Sequence, residues 1–217
     1  PVSAVSNQPA TVFHGYTANV DPSKTATLHN AGNPAVSYVA SVFDVAHDHG
    51  LSTGLYASKS KFVLFDQTWN GQNGAKDVTG ADDGKDKIDT FVLLADTATL
   101  TTTFIKDTQK TAYGFAFLHL RDVDTVGHAV GWGTPNWKLA LQHVDTQLGK
   151  LLKHIEQHPT MAGHTAVILV SDHGGSGTGH GDPTHLDTHT IPLMVWGAQV
   201  PKGQDLYTIA SKRHAPA

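Results

Sequence analysis

Short apolar runs, each separated from the next by a helical or turn-rich segment, set the possible architectures of this chain. "LSTGLYAS" (Leu51–Ser58), "YGFAFLHL" (Tyr113–Leu120), "TAVILVS" (Thr165–Ser171) and "IPLMVWG" (Ile191–Gly197) read as buried strands. "FVLLA" (Phe91–Ala95) is either a further strand or the start of a helix running to about Gln109. Asn33 followed by Pro34 offers a helix cap and a first helical position. Val39, Val42, Phe43 and Ala46 then recur at helical spacing, and Gly50 closes that helix. Thr134 followed by Pro135 opens a long helix to about Gln157, with Leu139, Val144, Leu148, Leu151, Leu152 and Ile155 directed inward. Apolar strands alternating with helices specify an α/β sandwich with a mostly parallel sheet. In such sheets chemistry gathers just beyond the C-terminal ends of the strands.

At 217 residues the chain reads as a single domain spanning 1–217, with residues 1–33 mostly loop. Residues 70–89, "NGQNGAKDVTGADDGKDKID", read as a loop whose charges are solvated. A hydrophobic content of 39% with 16% charged residues suits a soluble chain with a core. No apolar run approaches the ~20 residues of a membrane span. The net charge of -4 leaves no basic footprint for a nucleic-acid duplex. Cysteine is absent, so any metal site must use nitrogen and oxygen ligands, and zinc ribbons, iron–sulfur clusters and disulfides are excluded.

Two strand ends carry candidate chemistry. After the Tyr113 strand comes "LHLRDVDTVGH", in which Asp122, Asp124 and His128 crowd together. Asp124 and His128 are four apart, so one helical turn brings both to one point, and Gly127 allows a tight backbone turn beside them. After the Thr165 strand comes "SDHGGSGTGHGDPTHLDTHTIP", with Asp172 and His173 at the strand end and His180, His185 and His189 following. Gly174 and Gly175 supply the bend that lets Asp172 and His173 converge. The tripeptide Asp-His-Gly is weak evidence alone, because "HDHG" (His47–Gly50) repeats it at a helix end, where Asp48 and His49 have an ordinary structural reading. "GGSGTGHG" lacks the Lys-Ser/Thr of a phosphate loop, and "DVDTVG" lacks the position-twelve Glu of a calcium loop. His119, inside a buried run, reads as a satisfied core histidine. Trp132 and Trp137 either line a substrate face or pack between helices.

The ordered set "DVDTVGH", "LALQHVDTQLGKLL", "VSDHGG", "GHGD" and "IPLMVWG", covering roughly Tyr113 to Val200, resembles the alkaline phosphatase superfamily, and within it the type I phosphodiesterase/nucleotide pyrophosphatase branch. "SVFDVAHDHGLSTGLYASKSKF" is similar to the helix and strand that follow the nucleophile in these enzymes. The resemblance implies a three-layer α/β/α sandwich and a phosphoesterase of phosphodiesterase/nucleotide pyrophosphatase type. It also implies two divalent metal ions, zinc before others, about 4 Å apart. Carried over, Asp124 and His128 match the D-x-x-x-H ligands of one metal, with His180 as the third. His189 is the alternative third ligand, because "HTIP" also resembles the family's last such strand. Asp172 and His173 match the ligand pair of the second metal.

The sequence departs from the family pattern at its beginning. The family's first strand, ending in an aspartate ligand, and its Thr or Ser nucleophile have no counterpart before Asn33, so both are expected upstream of Pro1. Expected partners are a small phosphate-ester or nucleotide substrate and the protein's own cleaved N-terminal segment, in a periplasmic or secreted setting. Two alternatives stay open: a non-catalytic zinc-binding remnant, and a sulfatase or phosphonate hydrolase of the same superfamily.

Overall fold

The protein is described by a computed structural model, which covers residues 16–29, 37–77, 79 and 84–206. Residues 16–29 contain turns and bends but no helix or strand. The first helix, α1 (Val42–Asp48), is started by Ser41, whose hydroxyl accepts the Phe43 and Asp44 amides while the Asp44 carboxylate accepts the Ser41 amide. This reciprocal box satisfies amides on both sides of the boundary and fixes the helix start. Residues 37–41 are not helical, so the helix begins later than Asn33 and Pro34 suggest, and those two residues lie outside the described set. Gly50 ends it as expected: it adopts φ 72°, its amide bonds the His47 carbonyl, and the Leu51 amide bonds that of Ala46.

Three parallel strands follow, β1 (Thr53–Ala57), β2 (Thr90–Leu93) and β3 (Phe115–His119), in the order β2-β1-β3. All five residues of the central β1 are buried. Successive side chains on a strand point to opposite faces. Leu55 accordingly packs with Phe43 of α1 and with Leu64 and Trp69 of α2 (Val63–Trp69). Tyr56 packs on the other face with Leu100 and Phe104 of α3 (Thr97–Thr108) and with Leu151 and Ile155 from a later helix. Helices thus cover both faces of the sheet, the three-layer arrangement that the family resemblance implies. Asp96 accepts the Thr99 amide and caps α3, which makes Phe91–Leu93 strand rather than helix.

After β3 come α4 (Asp122–Val130) and α5 (Pro135–Gln157). Thr134 caps α5 through the Trp137 amide, with Pro135 in the first turn, as its sequence predicts. Leu151 and Ile155 are buried, but Leu139 is 62% exposed. Ala140 takes the inward position at that turn, one residue round the helix from the predicted one. The last strands, β4 (Ala166–Val170) and β5 (Leu193–Gly197), form a separate antiparallel ribbon and do not extend the parallel sheet. Val167 and Trp196 seat the ribbon on the core, while Ile168, Val170 and Leu193 on its other face are exposed.

The 70–89 loop is not simply solvated. Lys87 is fully buried, and its ammonium bonds the carboxylates of Asp77 and Asp48, the latter at 3.0 Å. Its backbone is pinned by its amide to the Trp69 carbonyl and by its own carbonyl to the Thr53 hydroxyl, both at 2.8 Å. Asp48, in the first "DHG", therefore serves packing, and His49 is the α1 cap residue.

Candidate metal centre

The parallel register pairs Ala57 with His119, so the ends of β1 and β3 lie side by side. Ser58, almost fully buried, donates its hydroxyl to the His119 carbonyl at 2.9 Å and so accepts from His119 Nδ1 at 3.2 Å. Burial, aided by the Lys59 charge, pushes the His119 pKa down to about 4. His119 is a neutral, satisfied core histidine, and it locks together the two strand ends on which the centre is built.

Directly beyond β3, α4 carries Asp124 and His128 one turn apart. The loop after β4 returns His173 and His180 to the same point. Asp124 Oδ1 lies 3.4 Å from His128 Nε2, 3.5 Å from His173 Nε2 and 3.8 Å from His180 Nε2. The ligand atoms of Asp124, His128 and His180 all fall within 4.8 Å of one another. The His173 and His180 rings stack at 3.6 Å.

Proton positions decide what this cluster can hold. His128 Nδ1 meets the Thr178 carbonyl at 3.0 Å, and His173 Nδ1 meets the Gly174 carbonyl at 2.7 Å. A carbonyl only accepts, so each Nδ1 carries a proton, and in the neutral imidazole each Nε2 presents a lone pair. Those lone pairs converge on Asp124 Oδ1, a buried carboxylate oxygen with no hydrogen-bond partner. Burial raises the Asp124 carboxyl, but the Lys59 hydrogen bond and charge, with His128 and His173, outweigh it and keep it below the usual carboxylate range. His180 is pushed down by burial and then by the neighbouring histidines, which favours its neutral, ligating form. With the imidazoles neutral, the cluster consists of acceptors alone, a set that a cation can bridge. The donor set of one carboxylate oxygen and imidazole nitrogens fits zinc, and the backbone carbonyls behind His128 and His173 are the outer partners that orient such ligands.

A profile of the type I phosphodiesterase / nucleotide pyrophosphatase family matches residues 17–202. The chain belongs to this family. Among curated proteins it is similar to GPI ethanolamine phosphate transferase 1 of Yarrowia lipolytica, 34% identical over 87 residues, 40% of this chain and 9% of that protein. The Candida glabrata protein of the same name is 39% identical over 83 residues, 38% of this chain and 9% of that protein. The human one is 31% identical over 84 residues, 39% of this chain and 9% of that protein. The matches thus span about a tenth of these relatives' length. Family and relatives agree on chemistry at phosphoester bonds. No described helix is long and apolar enough to cross a membrane.

Within this family member, the remaining sequence candidates are placed unevenly. Asp172 has an 87% exposed side chain whose Oδ2 lies 3.6 Å from His173 Nε2, so it sits at the rim. His173 is shared between Asp172 and Asp124. His189 is exposed at the end of the short helix α6 (Leu186–His189) and is not in the ligand cluster. His185 caps that helix by accepting the Asp187 amide. Gly127 makes no turn: it lies inside α4, where a Cβ would come within 2.6 Å of the Trp132 ring. A Cβ on Gly175 would come within 2.3 Å of the same ring. Trp132 therefore fills a glycine-lined slot that joins α4 to the His173 loop, and its ring meets His128, His173 and His180 edge-on. Gly174 faces an equally close neighbour, the Asp187 carbonyl, 1.9 Å from where a Cβ would stand. Sequence reasoning passed over Lys59, whose Nζ lies 2.6 Å from Asp124 Oδ2. The sequence signals only its place, since "SKSKF" follows β1 directly at the chemically active end of the sheet, and not its pairing with Asp124.

Proposed function

We propose that the chain carries the metal-binding core of a phosphoesterase of the phosphodiesterase/nucleotide pyrophosphatase type. Two divalent ions, zinc by the donor chemistry, are assigned to Asp124, His128 and His180 and to Asp172 and His173. The observation that carries this is the convergence of imidazole Nε2 atoms on the orphaned Asp124 Oδ1. When bound, such ions polarise a phosphoryl oxygen and offset the charge that develops on it. The chain's own residues do the rest. Thr178 and Gly174 hold the imidazole tautomers, and Trp132 fixes the distance between α4 and the His173 loop. The relatives' name describes transfer of ethanolamine phosphate, and the substrate class assigned here is a phosphodiester of that general kind. Transfer to an alcohol and hydrolysis by water differ only in the final acceptor, so both belong to this reading.

A second reading, a zinc-binding chain without turnover, is favoured by one observation. Among the described residues no hydroxyl hydrogen-bonds Asp124, His128 or His180, and Asp172 stands mostly in solvent. Metal content and turnover separate the two. Protein dialysed against metal-free buffer, reloaded with zinc and assayed on an aryl phosphodiester should hold about two zinc ions per chain and release the aryl alcohol. One ion without turnover supports the second reading. Failure to rebind zinc refutes both.

A further inference from the structure

We infer that Lys59 is the metal-specificity determinant of this centre: by occupying Asp124 Oδ2 it leaves the carboxylate a single oxygen for a cation, and so favours zinc over oxygen-seeking ions. The inference rests on the metal-centre reading above. Its basis is the division of labour between the two oxygens of Asp124. Oδ1 faces three imidazole Nε2 atoms and has no hydrogen-bond partner, whereas Oδ2 accepts from Lys59 Nζ at 2.6 Å.

Lys59 is not a loose surface lysine. Ser58 before it is 2% exposed and tied to both the carbonyl and the ring of His119. The residues after it enter a short 3-10 turn, Ser60–Phe62, with Lys59 itself at the cap in an extended conformation. The Phe62 ring packs against His119 at 4.5 Å. The lysine backbone is therefore fixed on the strand end, and its side chain, 30% exposed, reaches Asp124 across the β1–β3 seam. A pair held this way resists the exchange that makes ordinary exposed pairs nearly worthless.

The consequence follows from ligand preference. Calcium and manganese favour oxygen ligands and high coordination, and a free carboxylate can offer them both of its oxygens. Zinc accepts a tetrahedral set rich in imidazole and needs only one. Capping Oδ2 removes the oxygen that the first group would exploit and takes nothing that zinc requires. The lysine charge repels all divalent ions alike, so its contribution cancels in a ratio of affinities.

The test is competition for the full chain between zinc and manganese, read with a chromogenic chelator, in wild type, Lys59→Met and Lys59→Arg. Removing an outer partner of a metal ligand typically changes affinity about 10- to 100-fold, so the zinc-over-manganese ratio should fall by roughly that factor in Lys59→Met. Lys59→Arg, which can still donate to Oδ2, should keep the wild-type preference. Should Lys59→Met fail to give the wild-type far-ultraviolet circular dichroism, Lys59→Ala, which likewise has no donor for Oδ2, replaces it under the same expectation. A ratio unchanged in the neutral variant overturns the role of Lys59 while leaving the centre standing. A wild-type chain that binds neither ion overturns the centre itself.

Discussion

Replacing Gly175 with alanine should damage the metal centre more than the fold, and the size of the effect can be worked from the Trp132 slot. The new Cβ would stand 2.3 Å from Trp132 Cδ2 and Cε2. Carbon atoms pack at about 3.5 Å, so the ring or the loop must move by roughly 1 Å. The indole has little room to give way, because α4 passes so close at Gly127 that a Cβ there would fall 2.6 Å from the ring, and the Trp132 amide is bonded to the Gly177 carbonyl at 2.8 Å. The displacement therefore passes into the loop that carries His173 and His180. Functional ligands tolerate about 0.5 Å of misplacement, and overpacking costs about 1–3 kcal/mol. If that strain is borne by the assembled centre, zinc affinity falls roughly 5- to 150-fold. The assay is zinc titration against a competing chelator, with urea unfolding of the metal-free protein alongside. Trp132→Leu should open the slot, so Gly175→Ala added to it should cost much less than it does alone. Wild-type zinc affinity in Gly175→Ala, or strictly additive effects in the double variant, would refute the coupling of Trp132 to the centre.

The other expectations are more local. Lys87→Met removes the buried ammonium that bonds both Asp77 and Asp48 and should lower the stability measured by urea unfolding by about 3–5 kcal/mol. His119 has a folded pKa of about 4 against an ordinary value of 6.5, so the unfolded chain takes up its proton first as pH falls. Its contribution is complete above pH 6.5 and is lost as pH drops from 6.5 to 4, and His119→Gln should flatten stability against pH in that window by at most about 3 kcal/mol. Asp124→Asn and His128→Ala should each abolish tight zinc binding in equilibrium dialysis, whereas His189→Ala should leave it intact.

What the sequence discloses about this site is whatever is local. Asp124 and His128 are readable because helical spacing alone puts them on one face, and the strand ends are readable because apolar runs stop there. The tertiary contacts are not readable. Lys59 meets Asp124 across 65 residues of chain, and nothing in either segment encodes the pairing. Gly127 and Gly175 look like turn residues, but inside a helix and against an indole they act by having no Cβ. Lys87 sits in a run of Gly, Asp and Lys that is polar by composition, and its burial follows from backbone bonds to Trp69 and Thr53. The direction of β5 is equally silent in sequence, because an apolar run pairs as well antiparallel as parallel. The covering of the ribbon differs too: "TAVILV" predicts burial on both faces, yet Ile168 is 66% exposed.

Asp172 and His173 are neighbours in the bend just beyond β4, and their side chains reach different surroundings. His173 is the one turned inward. Its Nδ1 is held by the Gly174 carbonyl and its own carbonyl accepts the Ser171 hydroxyl at 2.8 Å, so the ring stays beside Asp124. Asp172 is left 87% exposed, within 3.6 Å of the same imidazole. A cation held by Asp124, His128 and His180 therefore has three ligands of its own, whereas one held by Asp172 must share His173 and face solvent. Zinc should then bind in two steps of different strength. Asp124→Asn should remove the tight step, and Asp172→Asn should remove only the weak one. Loss of the tight step in Asp172→Asn would mean that Asp172 turns inward on binding and that a single shared site replaces the two unequal ones.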